Sequence, residues 1–240
     1  MKQQPKQPTA FLFLDFDGTI SKRDVTDAIL EQYADKDWLV SETEWRAGRI
    51  GSRACLSEQM ALVRATRKQI DALVDSIEVD EGFNELLEIC AARNVQTHIV
   101  SDGFDCFIDR ILERAVNGNR SLVNSISASH LKLDARPWRT EFPFFEQSCG
   151  HGCATCKPAV MRLVNPANAP AIFVGDGLSD RYAVERADLV FAKSELADYC
   201  RVNSIAHTEF ERLAEVATDL DRWLVSRAFL TNKEERRVIA

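Results

Sequence analysis

Two aspartates one residue apart, Asp15 and Asp17, follow the apolar run Phe11–Leu14 in FLFLDFDGTI and are themselves followed by Gly18 and Thr19. A buried strand excludes an unpaired carboxylate because removing its water is costly, so something must meet them. Two more polar groups end apolar runs in the same way, Ser101 after VQTHIV and Asp176 after AIFVG. In an open α/β sheet, ligands bind in the crevice beyond the carboxyl ends of the strands, and that crevice would bring Asp15, Ser101 and Asp176 together. Carboxylates share such a site when a cation neutralises them. A small set of hard oxygen ligands suits Mg²⁺, which keeps several waters and also takes a phosphate oxygen. A carboxylate beside metal and phosphate can act as a nucleophile through an aspartyl-phosphate, a reaction that depends mostly on positioning and charge neutralisation. Lys157, set at a helix start by Pro158, can neutralise phosphate and nucleophile. The Ser101 hydroxyl and the N–H groups of Ser101, Asp102 and Gly103 can bind phosphate oxygens. A calcium-loop reading of DFDGTISKRDVT fits poorly, since Thr19, Ile20 and Thr26 stand where that loop needs an acidic or amide residue, a glycine and a glutamate.

The elements that would hold these groups alternate between strand and helix. AFLFLDF, VQTHIVS and APAIFVGD are short apolar runs that read as parallel strands buried on both faces. EGFNELLEICAARN, FDCFIDRILERA, KPAVMRLV and SDRYAVERA carry apolar residues at helical spacing between them. DLVFA is a last strand, and EFERLAEVATDLDRWLVSRAF a long closing helix. The fold class is α/β, a Rossmann-like parallel sheet flanked by helices, with its core over residues 10–23 and 80–226. Residues 24–79 hold no strand-like run and read as a helical cap inserted after the first strand, with Thr66 as the N-cap of RKQIDALVDSI. Residues 122–156 read as a hairpin and Cys-rich loop excursion, and residues 1–9 and 227–240 as mobile tails.

The 240-residue chain is 45% hydrophobic and 28% charged, enough to bury a sizeable core. A formal net charge of −7 argues against nucleic acid or an anionic membrane as the main partner, and leaves a small phosphorylated metabolite as the ligand. Neither a secretory signal nor an apolar run of membrane-spanning length is visible. The seven cysteines are odd in number and scattered apart from one cluster, which is no disulfide framework, so a cytoplasmic location is expected. Cys149, Cys153 and Cys156, with His151 among them and His130 as a further ligand if a hairpin folds back, are close enough in sequence to hold one structural Zn²⁺. Reduced thiols or a disulfide are the other readings. Arg46, Arg49 and Arg53 either solvate a helix face or reach a substrate carboxylate. His98, inside an apolar strand, reads as a core residue.

DFDGTI, the serine of VSDGFD, the lysine of CKP and GDGLSD resemble, in order and place, the four motifs of the haloacid dehalogenase superfamily, over roughly Phe11 to Ala192. The resemblance implies a Mg²⁺-dependent phosphatase in which Asp15 is the nucleophile and Asp17 the general acid/base, with the Asp17 backbone carbonyl on the metal. It further implies Thr19 and Ser101 on phosphate, Lys157 holding phosphate and Asp15, Asp176 as a direct metal ligand and Asp180 behind it. The helical insert resembles the small cap of that superfamily. Within it the chain looks most like the branch of phosphoserine phosphatase and of the methionine-salvage phosphatase acting on 2-hydroxy-3-keto-5-methylthiopentenyl 1-phosphate. Asp24 falls where that branch carries an acidic residue, and a cysteine-rich run before CKP is typical of the methionine-salvage group. Asp102 in place of the usual glycine, and Ser179 in place of asparagine, depart from the branch and leave the substrate open. Phosphoserine hydrolysis, phosphotransfer to a second alcohol and non-catalytic binding of a phosphorylated ligand are the rival readings, and the oligomeric state is unknown.

Overall fold

The computed structural model describes residues 7–116, 118–133 and 137–238. Strand β1 (Ala10–Leu14) is buried at every position. Its side chains part between two cores: Ala10, Leu12 and Leu14 join the larger cluster, Phe11 and Phe13 the smaller one on the opposite face. That division is the alternation of a strand covered on both sides. The chain then leaves the sheet for four helices, α1 (Val25–Tyr33), α2 (Trp38–Arg46), α3 (Ser52–Ala61) and α4 (Arg67–Ser76). The outgoing and returning strands of this lobe pair at its base, the Lys22 N–H donating to Glu78 O and the Asp80 N–H to Ile20 O, both at 2.9 Å. Thr66 caps α4 as expected, in a reciprocal box with Gln69, a motif whose cap residue is typically worth about 1 kcal/mol. Ile29, Leu30, Met60, Ile70 and Val74 of the lobe belong to the larger core cluster, so the cap is seated on the sheet domain by apolar burial.

Helix α5 (Phe83–Ala92) returns the chain to β2 (Val95–Phe104), and α6 (Asp105–Ala115) leads to β3 (Val123–Lys132) and β4 (Arg139–Glu141). The remainder is α7 (Lys157–Val164), β5 (Ala171–Gly175), β6 (Leu189–Ala192), α8 (Ser194–Val202), β7 (Thr208–Glu209) and α9 (Leu213–Val238). The sheet order is β4-β3-β2-β1-β5-β6-β7, parallel except for the antiparallel β3/β4 pair. This is the α/β architecture expected from the alternation of elements. No helix among the described residues is long and apolar enough to cross a membrane.

The structure differs from the sequence reading in three segments. The expected excursion at 122–156 begins with β3, a full member of the main sheet parallel to β2. Its Ser-Ile-Ser-Ala-Ser pattern looks too polar for a sheet interior, but its serines find partners: the buried Ser129 Oγ donates to Asp102 O at 2.8 Å, and the half-buried Ser125 Oγ lies 2.7 Å from His98 Nδ1. SDRYAVERA is not an α-helix but two 3-10 turns, Leu178–Asp180 and Val184–Arg186, because the Asp180 carboxylate draws in the N–H groups of Asp176 and Gly177. The expected tail from residue 227 continues α9 to Val238, while 1–6 and 239–240 lie outside the described residues. His98 is a core residue, stacked against Phe11 and Phe13, and burial pushes its pKa down to about 4.

Candidate active site

The carboxyl ends of β1, β2 and β5 deliver Asp15, Ser101 and Asp176 to one cavity of about 240 Å³ that the cap roofs. Lys157, the first residue of α7, is buried beside it. Its Nζ lies 2.9 Å from Asp15 Oδ1, 2.5 Å from Asp180 Oδ1 and 3.3 Å from Ser179 Oγ. Burial by itself would lower the lysine pKa, but Asp15 and Asp180 outweigh it and hold the ammonium above the ordinary lysine range. One lysine does not balance the carboxylates around it. Burial, and then the charge of Asp180, push the Asp15 carboxyl well above the usual range, and the same two causes push Asp176 up to about 7.

Carboxylate oxygens of Asp15, Asp176 and Asp180 lie within 4.8 Å of one another. Hard oxygen donors with an excess of negative charge fit a divalent cation of the Mg²⁺ type. Asp15 and Asp176 are the residues free to hold it. Asp180 has both oxygens engaged, Oδ1 by Lys157 and Oδ2 by the Asp176 and Gly177 N–H groups, so it braces the cluster from behind. The cradle is shaped by glycine: a Cβ on Gly18, at φ +71°, would lie 2.3 Å from Asp176 Oδ2, and one on Gly103 would lie 2.3 Å from Asp17 Oδ2.

Asp17 is held between cap and core. Its Oδ1 accepts the N–H of Val25 at the start of α1 (2.8 Å), and its Oδ2 accepts the Ser101 hydroxyl (3.3 Å). Burial raises its pKa. Two expected phosphate contacts are otherwise occupied. The Gly103 N–H donates to Ser101 Oγ at 2.9 Å, and the fully buried Thr19 hydroxyl donates to Asp176 Oδ1 at 3.0 Å, so Thr19 orients a carboxylate. The Asp102 carboxylate accepts the Thr155 N–H at 2.9 Å. Ser101 remains in the cavity lining.

The cap contributes acceptors. Asp24, whose Oδ1 caps α1 through the Asp27 N–H at 2.8 Å, lines the cavity as expected, joined by Asp27, Glu42 and Gln59. Burial and then Asp17 push Asp24 well up, and burial and then Glu42 push Asp27 up to about 6. Two of the expected arginines are elsewhere. Arg49 forms a two-pronged pair with Glu44 at 2.6 and 2.7 Å, and Arg53 lies 4.7 Å over the Phe145 ring. Arg46 does reach the cavity, but Glu42 and Glu195 hold it at 2.9 and 2.7 Å. The Asp24–Asp27 spacing on one helix was a readable signal for the acidic lining. Glu42, Gln59 and Glu195 come from three separate elements and carried none.

The cysteine loop brings Cys149 Sγ to 3.8 Å from Cys153 Sγ, and all three of its cysteines are free thiols. Burial works to raise the Cys149 pKa, but the N–H groups of His151 and Cys153 and the neighbouring thiols outweigh it and lower it. Among the described residues a fourth zinc ligand is not assembled: His151 stacks on Tyr182 at 3.8 Å between centroids, and His130 Nδ1 pairs with Asp105 at 2.6 Å. Among the described residues, the aspartate trio is the metal-like cluster.

Residues 12–185 match the family described as haloacid dehalogenase-like hydrolase. The chain belongs to this family. Relatives of this hydrolase include the 2-hydroxy-3-keto-5-methylthiopentenyl-1-phosphate phosphatases of Bacillus pumilus (strain SAFR-032), 26% identical over 87% of this chain and 89% of that one, and of Geobacillus kaustophilus (strain HTA426), 28% identical over 88% and 95%. A solved phospho-aspartyl intermediate analogue of phosphoserine phosphatase shares the fold, with a TM-score of 0.69 at 17% identity over 90% of this chain and 99% of that one. As a haloacid dehalogenase-like hydrolase, the protein is a phosphatase, acting on phosphoric monoesters.

Proposed function

We propose that this hydrolase cleaves a small phosphomonoester through an aspartyl-phosphate on Asp15, and that the alcohol it releases carries no carboxylate. The Asp15 oxygen forms a bond to phosphorus as the bond to the leaving oxygen breaks, and Asp17 supplies the proton that this oxygen takes up. Asp17 then accepts a proton from water as the water oxygen attacks phosphorus and the Asp15–phosphorus bond breaks. The raised pKa of Asp17 suits the first of these duties. Lys157 holds Asp15 and meets the phosphate charge, and the Ser101 hydroxyl orients Asp17. Bound Mg²⁺ would be held by Asp15, Asp176 and the Asp17 backbone carbonyl, and supplies neutralisation of phosphate charge.

The acidic lining of the cavity carries the substrate reading. Asp24, Asp27, Glu42 and Glu195 face the space beyond the phosphate, and Arg46 is already paired with two of them. A substrate carboxylate would be repelled there, whereas hydroxyl and enol groups would find acceptors. This favours an uncharged polyhydroxy or keto phosphate, the kind of compound in the names of the relatives, over phosphoserine. Assayed with Mg²⁺ against a panel of both kinds, the enzyme is expected to prefer keto and hydroxy phosphates by at least tenfold in kcat/KM, with turnover abolished by excess chelator. Preference for phosphoserine, or full activity in chelator, would overturn the reading.

The cysteine loop supports the reading as reduced thiols, in a cytoplasmic protein, over the reading as a zinc site, since among the described residues no fourth ligand joins the three thiols. Elemental analysis of protein purified without chelator is expected to find no stoichiometric zinc, and one equivalent would restore the metal reading.

A further inference from the structure

We infer that Asp102 is a positioning residue: its carboxylate and the Ser52 hydroxyl of cap helix α3 take successive N–H groups of the loop that carries Lys157, so that seating the cap and setting Lys157 are one event. The inference rests on the proposed role of Lys157 for its catalytic consequence, and on geometry alone for the linkage. Asp102 stands where the chain departs from the glycine usual in the branch it resembles, and a glycine could accept nothing from a side-chain position. Here the carboxylate takes the Thr155 N–H at 2.9 Å, and Ser52 lines the same two cavities as Asp102. Ser52 Oγ in turn accepts the Ala154 N–H at 2.9 Å. Ser52 opens α3, and Thr155 lies two residues before Lys157. Two adjacent loop N–H groups are therefore held at once, one by the cap and one by β2.

The surrounding backbone makes this junction close and stiff. A Cβ on Gly51 would lie 2.2 Å from Gly152 O, and the Arg53 N–H donates to that oxygen at 3.2 Å. On the core side, Ser129 fixes the Asp102 carbonyl at 2.8 Å, and the Cys156 N–H is tied to Phe144 O at 2.9 Å. Lys157 follows directly, with its ammonium between Asp15 and Asp180. Asp102 also lines both the cavity over Asp15 and a neighbouring cavity of about 260 Å³ bounded by Arg49, His151 and Arg181. Ser52 belongs to the cap and Asp102 to β2, so a lifted cap would take away the partner of the Ala154 N–H and leave the loop held by Asp102 at Thr155 alone. A displacement of about 1 Å at a reacting group can cost on the order of 100-fold in rate.

The test is a cycle of Asp102→Ala, Ser52→Ala and the double variant in the full chain, with Asp102→Asn as the conservative replacement. Each is checked for native melting, then measured for kcat and KM and for amide exchange over residues 52–56 and 153–157. Asp102→Ala is expected to lower kcat by about 10- to 100-fold with KM changed less, and the double variant to be no worse than Asp102→Ala alone. Asp102→Asn, which can still accept the Thr155 N–H, is expected to recover most of the loss. Exchange should quicken on both sides of the junction in either single variant. Wild-type kcat in Asp102→Ala, additive losses in the double variant, or exchange that quickens only on the mutated side would each overturn the proposal. If Asp102→Ala does not fold, Ser52→Ala carries the same exchange criterion. A wild-type enzyme without phosphatase activity would instead overturn the proposed function, and the exchange result would still decide the linkage.

Discussion

Asp15→Asn is expected to lose turnover on every substrate, by about 10⁴- to 10⁶-fold in kcat, the scale seen when a covalent nucleophile is removed. An amide oxygen is a poor nucleophile, and its loss of charge also withdraws a metal-holding group. The same change should not weaken the metal-free fold. Burial and Asp180 raise the folded-state pKa of Asp15 above its unfolded value, so its ionisation costs stability as pH rises through that interval. Asparagine does not ionise, and Lys157 keeps Asp180 at 2.5 Å. At neutral pH without metal, the variant is therefore expected to melt no lower than wild type, and to show a smaller rise in melting temperature when Mg²⁺ is added. Thermal melts with and without Mg²⁺, beside steady-state assays, separate the outcomes. More than about 1% residual kcat is incompatible with loss of the nucleophile, and an undiminished Mg²⁺ shift would remove Asp15 from the metal site.

Asp17→Asn should divide the reaction in two. A substrate with a good leaving group, such as p-nitrophenyl phosphate, needs little help in losing its phenolate but still needs a base to activate water in the second step. The variant keeps an oxygen for the Val25 N–H and an amide that can donate to Ser101 Oγ, so the 2.8 Å tie to α1 is preserved. Rapid mixing is expected to show a burst of nitrophenol close to one equivalent per active site. A steady state slower by about 10²- to 10⁴-fold should follow, the usual worth of general acid/base help. Burst and steady state falling together would mean that Asp17 serves mainly to build the site.

The parts of this molecule that are legible in its sequence are those set by local chemistry. β1, β2 and β5 announce themselves because a strand covered on both faces must be apolar throughout, and the polar residue that ends each one then stands out. Asp15, Ser101 and Asp176 could be picked from that pattern, with Asp17 beside Asp15, whereas Lys157 stood out only through its place in the order of motifs that the chain resembles; the cap was legible because Asp24 to Val79 carries helical spacing and no strand. β3 is misread for the complementary reason: its serines look solvent-facing, and only the neighbouring strand β2, whose His98 and Asp102 meet Ser125 and Ser129, lets them sit within the sheet. The roles of individual polar side chains were decided by packing. Arg46 and Glu195 are 149 residues apart, and Asp102 and Thr155 are 53 apart. Neither pairing has a periodicity or a local propensity to betray it. Arg49 and Arg53 looked equal to Arg46 as cap cations, and their different fates follow from where α2 and α3 happen to set down on the sheet. Hydrophobic burial fixes the layers from a short-range code. Which charge meets which across those layers depends on distances of a few ångströms that exist only once the layers are packed.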